Sequence, residues 1–231
     1  MKKIAIVQSN YIPWKGYFDL IAAVDEFILY DDVQFTKRDW RNRNQIKTPQ
    51  GPIWLTVPVN VKGKYYQTIN ETEIHGTTWV SDHWKSLIMN YKRADYFKEV
   101  SGWLEEKYFG QNYTFLSDLN KNLIDAICKY LNIKTVIKNS SDFLTNSTDK
   151  TERIIELCQQ SKATEYISGP SAKNYLNIEA FNKYGISVKF FDYEGFKPYN
   201  QLWGDFIHNV SIIDLLFNCG KDSKQYLRFI K

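Results

Sequence analysis

The opening of the chain is its most restrictive feature. Lys2 to Gln8 is an apolar run closed by polar residues, Tyr17 to Val24 has helical composition, and Glu26 to Tyr30 is a second apolar run ending in Asp31-Asp32. Strand, loop, helix and strand in that order read as a βαβ unit, which requires parallel strands and a right-handed crossover. Ligands of such sheets sit beyond the carboxyl ends of the strands. Gln8 to Trp14 and Asp31 to Phe35 are therefore expected to share one rim.

Ile53 to Val57 and Gln67 to Ile74 read as strands around the turn Lys62-Gly63-Lys64. From Trp79 to Tyr130 apolar residues recur at helical spacing, as in Trp84, Leu87, Ile88 and Tyr91 and again in Leu116, Leu119, Leu123 and Ile127, which predicts two or three consecutive helices. Lys134 to Ile137 reads as a strand, Thr148 to Ser161 as a capped helix and Glu165 to Ile167 as a short strand. Ser168-Gly-Pro-Ser171 turns into a helix through Tyr184, Ile186 to Phe191 is a further strand, and Ser211 to Phe217 is a helix stopped by Gly220. The expectation is an α/β fold: a three-layer sandwich on a mainly parallel sheet, one domain of residues 1–231 with a helical insert at about 79–130.

Hydrophobic residues at 43% and charged residues at 24% exclude a disordered or fibrous chain. The apolar run Val210-Ser-Ile-Ile is broken by Asp214, and no run approaches the roughly 20 residues of a spanning helix, so no membrane span is expected. The basic N-terminus carries too short an apolar stretch for a leader and reads as a first strand. Cys128, Cys158 and Cys219, an odd set without CxxC spacing, predict reduced thiols in the cytoplasm and no structural zinc site. A net charge of +4 does not by itself make a nucleic-acid binder, yet between Phe35 and Tyr65 seven Lys/Arg face the single acid Asp39, so that stretch calls for an anionic partner.

Three segments carry candidate chemistry. In Gln8 to Phe18, amides and aromatics between strand and helix suit a site where a helix start faces an anion, with Gln8, Asn10, Tyr11, Trp14 and Tyr17 as binding candidates; a polar turn shaped by Pro13 and Gly16 is the plainer reading. In Asp31 to Asn44, paired carboxylates can share a proton or hold Mg²⁺, and Lys37, Arg38, Arg43 and Lys47 with Trp40 and Asn42 can grip a phosphate or carboxylate. Turn capping, a solvated basic face, or a groove for single-stranded nucleic acid are the alternatives there. In the last third, Ser168-Gly169-Pro-Ser171 has phosphate-cradling composition, and Tyr199 and Gln201 follow. His83, among helical apolar positions, is a candidate general base or a structural histidine. No GxxxxGK[ST], GxGxxG, HExxH or GxSxG occurs, which removes P-loop kinases, dinucleotide dehydrogenases, zincins and serine hydrolases.

Together these segments resemble the WbqC-like protein family of bacterial polysaccharide gene clusters. The likeness is carried by Ile6-x-Gln-x-Asn-Tyr-x-Pro-Trp-x-Gly-Tyr-Phe18, by Leu29 to Phe35 with Lys37, Asn42, Arg43 and Lys47, and by Trp54-Leu-Thr-Val-Pro58. It continues through His83, Tyr91, Ile167-Ser-Gly-Pro-Ser171, Tyr199-x-Gln201 and Ser211 to Gly220. The family pattern begins His-Gln-Pro-Asn, and this chain has Val7 and Ser9 at the first and third positions. The resemblance implies N-acyl or aminoacyl, such as glycyl, transfer to a nucleotide-linked amino sugar in O-antigen assembly. His83, Asp31 or Asp32 would act as the base, and the donor is left open. A fainter likeness to HxGH nucleotidyltransferases puts Trp14 and Tyr17 where both histidines would stand. A divergent enzyme of that kind, or a non-enzymatic anion-binding module for single-stranded nucleic acid or acidic polysaccharide, are the alternative functions.

Overall fold

The computed structural model describes residues 1–230. Strands β1 (Lys3–Val7), β2 (Glu26–Leu29), β5 (Val136–Asn139), β6 (Glu165–Ser168) and β7 (Ser187–Phe190) form one sheet in the order β5-β2-β1-β6-β7. Every pairing is parallel, with Ile4 opposite Glu26 and Val7 opposite Leu29. Alternate residues of these strands serve two separate apolar clusters, as expected of a parallel sheet covered on both faces. Ile4, Ile6, Ile28 and Tyr166 pack with helices α5 (Lys150–Gln160) and α6 (Ile178–Lys183). Ala5, Phe27, Leu29 and Ile167 pack with α1 (Lys15–Ala22), α4 (Leu116–Leu131) and α7 (Ile212–Cys219). The result is the expected three-layer sandwich.

From β1 the chain moves outward through α1 to β2 and then β5. It then returns across the sheet to β6, beside β1, and on to β7. Covering helices change face where the direction reverses, as crossovers of one hand require. The loops after β1 and β6 therefore lead to helices on opposite faces of the sheet, the arrangement at which such folds place their ligands.

Helices α2 (Thr78–Tyr91), α3 (Phe97–Phe109) and α4 fill the segment expected to be helical. They share one apolar cluster with the sheet, in which Leu87, Leu104 and Leu123 join Phe18 and Phe27. No helix of the described residues is long and apolar enough to cross a membrane.

Three local expectations are corrected. Residues 67–74 form a loop with isolated bridges, Gln34 to Thr68 and Val59 to Ile74, rather than a strand. The partner of the strand predicted at Ile53 to Val57 is instead β3 (Arg43–Thr48), which pairs antiparallel with β4 (Gly51–Thr56) as a hairpin apart from the main sheet. The helix predicted through Tyr184 is two pieces, a 3₁₀ turn over Pro170–Asn174 and then α6, because the Asn177 side chain caps a fresh start by accepting from the Ala180 N–H at 3.3 Å.

Candidate active site at the carboxyl edge of the sheet

The loop after β1 is held in a strained conformation. Ile12 is fully buried with φ of +37°, a region β-branched residues rarely enter. Surrounding bonds fix it there. Asn44 Nδ2 donates to the carbonyls of Tyr11 (3.1 Å) and Ile12 (3.0 Å), and Ser211 Oγ donates to the Ile12 carbonyl at 2.7 Å. The Tyr11 N–H donates to the Trp40 carbonyl at 3.0 Å, which joins this loop to the basic segment. Gly16 lets Trp14 fold back over the helix start, since a Cβ there would stand 2.3 Å from the indole. The ring is backed by Tyr193 and Phe196 at centroid distances of 5.4 and 5.6 Å.

Between this loop and β3 lies a cleft of about 360 Å³ lined by Asn10, Pro13, Trp14, Trp40, Asn44, Gln45 and Asn209. Asn10, Trp14 and Trp40 stand where the sequence placed binding residues. Asn44 and Gln45 were hidden in an unrecognised strand, and Asn209 comes from the segment 191–210, which has no regular secondary structure. Trp40 is 41% exposed and leans on Trp54 at 5.2 Å, while the Arg43 guanidinium lies 4.2 Å over the Trp54 ring. Lys37 and Arg38 are exposed.

The paired acids lie on the same edge of the sheet but open into a neighbouring hollow of about 130 Å³, with Asn70, Asp118, Asn139 and Ser140. Asp31 is buried and accepts from the Ser9 N–H at 2.8 Å; burial pushes its pKa up, against the opposing pull of the Ser9 bonds and the Arg41 charge. Asp32 is ion-paired with Arg153 at 2.5 Å and accepts from Ser140 Oγ at 2.6 Å. The cations beside the acids are thus Arg41 and Arg153, not Arg38 or Arg43. Among the described residues no group of three His, Cys, Asp or Glu is arranged to hold a metal ion.

Several predicted contact residues face inward. His83 is 6% exposed: its Nε2 donates to the Thr56 carbonyl (3.2 Å) and its Nδ1 accepts from the Tyr11 hydroxyl (2.8 Å), which is itself bonded to Tyr108. Burial pushes its pKa down to about 4, so the ring is neutral and both nitrogens are engaged. Lys47, Tyr199 and Gln201 belong to an internal network. Lys47 Nζ donates to Gln201 Oε1 at 3.0 Å, and Tyr199, Tyr91 and Gln201 all donate to the buried Asp214 carboxylate at 2.7, 2.8 and 2.9 Å. Asn42 bonds the Val57 carbonyl at 2.8 Å, and the Tyr17 hydroxyl supports the Gln8 carbonyl at 3.1 Å. Ser168 is buried beside the Tyr166 hydroxyl, while Gly169 caps the 3₁₀ turn over Pro170–Asn174 and Ser171 lies within it.

Lys15 is a residue the sequence reading passed over. Its ammonium lies 5.2 to 5.3 Å from the ring centroids of Phe196, Tyr199 and Phe206 and donates to the Lys197 carbonyl at 3.0 Å. Desolvation in this aromatic cage brings its pKa down to about 8.

The WbqC-like protein family matches residues 8–226 of the chain. An uncharacterised protein of Mycobacterium tuberculosis (strain ATCC 25618 / H37Rv), Rv1507c, is 56% identical over 231 residues, covering the whole of both chains. No solved structure matches.

Proposed function

Because the chain belongs to the WbqC-like protein family, we propose that it is a transferase that acylates or aminoacylates the amine of a nucleotide-linked amino sugar in surface-polysaccharide synthesis. The observation that carries this reading is the cleft itself: two indoles and several side-chain amides at the carboxyl edge of a parallel sheet, beside the point where the strand order reverses. Trp14 and Trp40 offer flat apolar faces to a base or sugar ring, the amides offer hydrogen bonds to its substituents, and Arg43, over the Trp54 ring, lies alongside for the diphosphate.

In the transfer step the sugar amine attacks the acyl carbonyl of an activated donor. The new C–N bond forms, the bond to the donor's leaving group breaks with the electron pair going to that group, and the amine loses a proton. In this reading the amine reaches from the cleft toward the neighbouring hollow, where Asp31 accepts the proton; a carboxylate whose pKa is raised by burial is a better base, a contribution of roughly 10²- to 10⁴-fold in rate. His83, with both nitrogens engaged in the core, is left out of it. The buried, unpaired Cys128, Cys158 and Cys219 support a cytoplasmic setting.

A thermal-shift panel of UDP-, GDP- and dTDP-linked amino sugars tests the proposal. At least one is expected to raise the melting temperature in a saturable way, and no shift from any at millimolar concentration contradicts it.

The exposed Trp40–Trp54–Arg43 stack favours one second reading, a non-enzymatic surface for single-stranded nucleic acid or acidic polysaccharide. That reading expects affinity to fall steeply with salt and to be kept or improved by Asp31→Asn.

A further inference from the structure

Arginine has only donors, so the atom of Asn10 that faces Arg41 Nη1 must be Oδ1. The other half of the amide, the Nδ2 group, has no acceptor among the described residues, and Asn10 lines the cleft. Arg41 is itself firmly held: its side chain is 12% exposed, Nη1 also reaches the Ser9 carbonyl at 3.5 Å, Nη2 lies 3.5 Å from the Asp39 carboxylate, and its carbonyl accepts from Asn120 Nδ2 at 2.9 Å. The sequence made Lys37, Arg38, Arg43 and Lys47 the anion holders, but Arg41 is the cation built into the edge of the sheet. The residues that line the cleft include neither a carboxylate nor a cation. A fixed amide donor in an uncharged wall suits an uncharged oxygen.

Resting on the reading that the cleft takes a nucleotide-linked amino sugar, we propose that Arg41 is a positioning residue that locks the Asn10 amide so that its NH₂ donates to an uncharged oxygen of the sugar, a ring hydroxyl or the carbonyl of an N-acyl group. Arg41 does not touch the ligand. It prevents the amide from flipping and presenting its oxygen to the cleft.

The test compares wild type with Asn10→Asp, Asn10→Ala, Arg41→Met and Arg41→Lys, titrated with UDP-, GDP- and dTDP-linked N-acetylhexosamines and with the matching nucleoside diphosphates. Asn10→Asp keeps the oxygen that Arg41 holds and replaces the donor by a second acceptor. It is expected to weaken the nucleotide-sugar about tenfold or more while leaving the diphosphate within about twofold. Arg41→Met should cause a similar loss, Arg41→Lys should recover part of it, and in the Asn10→Ala background Arg41→Met should add nothing. Equal losses for nucleotide-sugar and diphosphate, or additive losses for the two residues, overturn the proposal. If no nucleotide-sugar binds the wild type, the proposed function fails, and melting temperatures still judge the contact. Asn10→Asp should raise the melting temperature when Arg41 is present and not in Arg41→Met; additive shifts overturn the lock.

Discussion

Ser9 and Asp31 meet across adjacent parallel strands, the Ser9 N–H donating to Asp31 Oδ1 at 2.8 Å although 22 residues separate them. Both residues leave the sheet at its carboxyl edge, one from β1 and one from β2, so this bond ties the aromatic loop to the acidic one. Ser9 Oγ in turn accepts from Asn120 Nδ2 at 3.0 Å, which extends the tie to α4.

Ser9→Pro, which installs the residue of the family pattern, removes that N–H. The buried Asp31 carboxylate then loses a donor, and a destabilisation of about 1–3 kcal/mol is expected. Urea unfolding checks it, with Ser9→Ala, which retains the N–H, expected to lose less.

His83 sets an acid limit to stability. Its pKa is about 4 in the fold and near 6.5 when unfolded, so the unfolded chain binds the proton first as pH falls. The contribution is complete above about pH 6.5 and is lost progressively toward pH 4, on the order of 3 kcal/mol in all. Followed from pH 7 to 4, the melting temperature of the wild type should fall by more than that of His83→Gln, which lacks this titration.

Asp214 collects the hydroxyls of Tyr91 and Tyr199 and the amide of Gln201, with the Lys47 charge nearby. Asp214→Ala strands all of these in the core. A loss of roughly 3–5 kcal/mol is expected, read by urea unfolding.

Lys15 leads to a prediction of opposite sign. A charged amine in an apolar cage costs stability at neutral pH, because its pKa near 8 lies below the unfolded value of 10.5. The unfolded chain holds more protons between those values, so wild-type stability rises with pH across that window. Lys15→Met should therefore melt no lower than wild type at pH 7, and any advantage should shrink toward pH 10. Thermal melts across this range measure the difference.

The centre of the sheet was legible because β1, β2 and β6 are largely buried and carry short apolar runs, between segments of helical composition. β3 was not. Its residues Arg43, Asn44, Gln45 and Lys47 look like a solvated basic loop, and only pairing with β4 makes them a strand, with Asn44 and Lys47 buried by their bonds to the β1 loop and to Gln201. The site was legible by rim but not by residue. Parallel pairing put Asn10 and Asp31 on one edge, whereas residue type alone could not separate Arg41, set behind Asn10, from the exposed Lys37 and Arg38. Lys47, Tyr199 and Gln201 are ligand-like in composition, and a buried aspartate thirteen residues after Gln201 draws all three inward. Asn209 lies in a segment without periodicity and left no signal.

In the proposed function, the exposed Trp40 is a stacking face for a nucleotide-linked amino sugar. The most direct test is isothermal titration of the best-binding nucleotide-sugar into wild type and Trp40→Ala. Loss of one stacked ring predicts a Kd raised by about 5- to 150-fold with the fold intact by circular dichroism. An unchanged Kd in a folded Trp40→Ala protein would contradict the account.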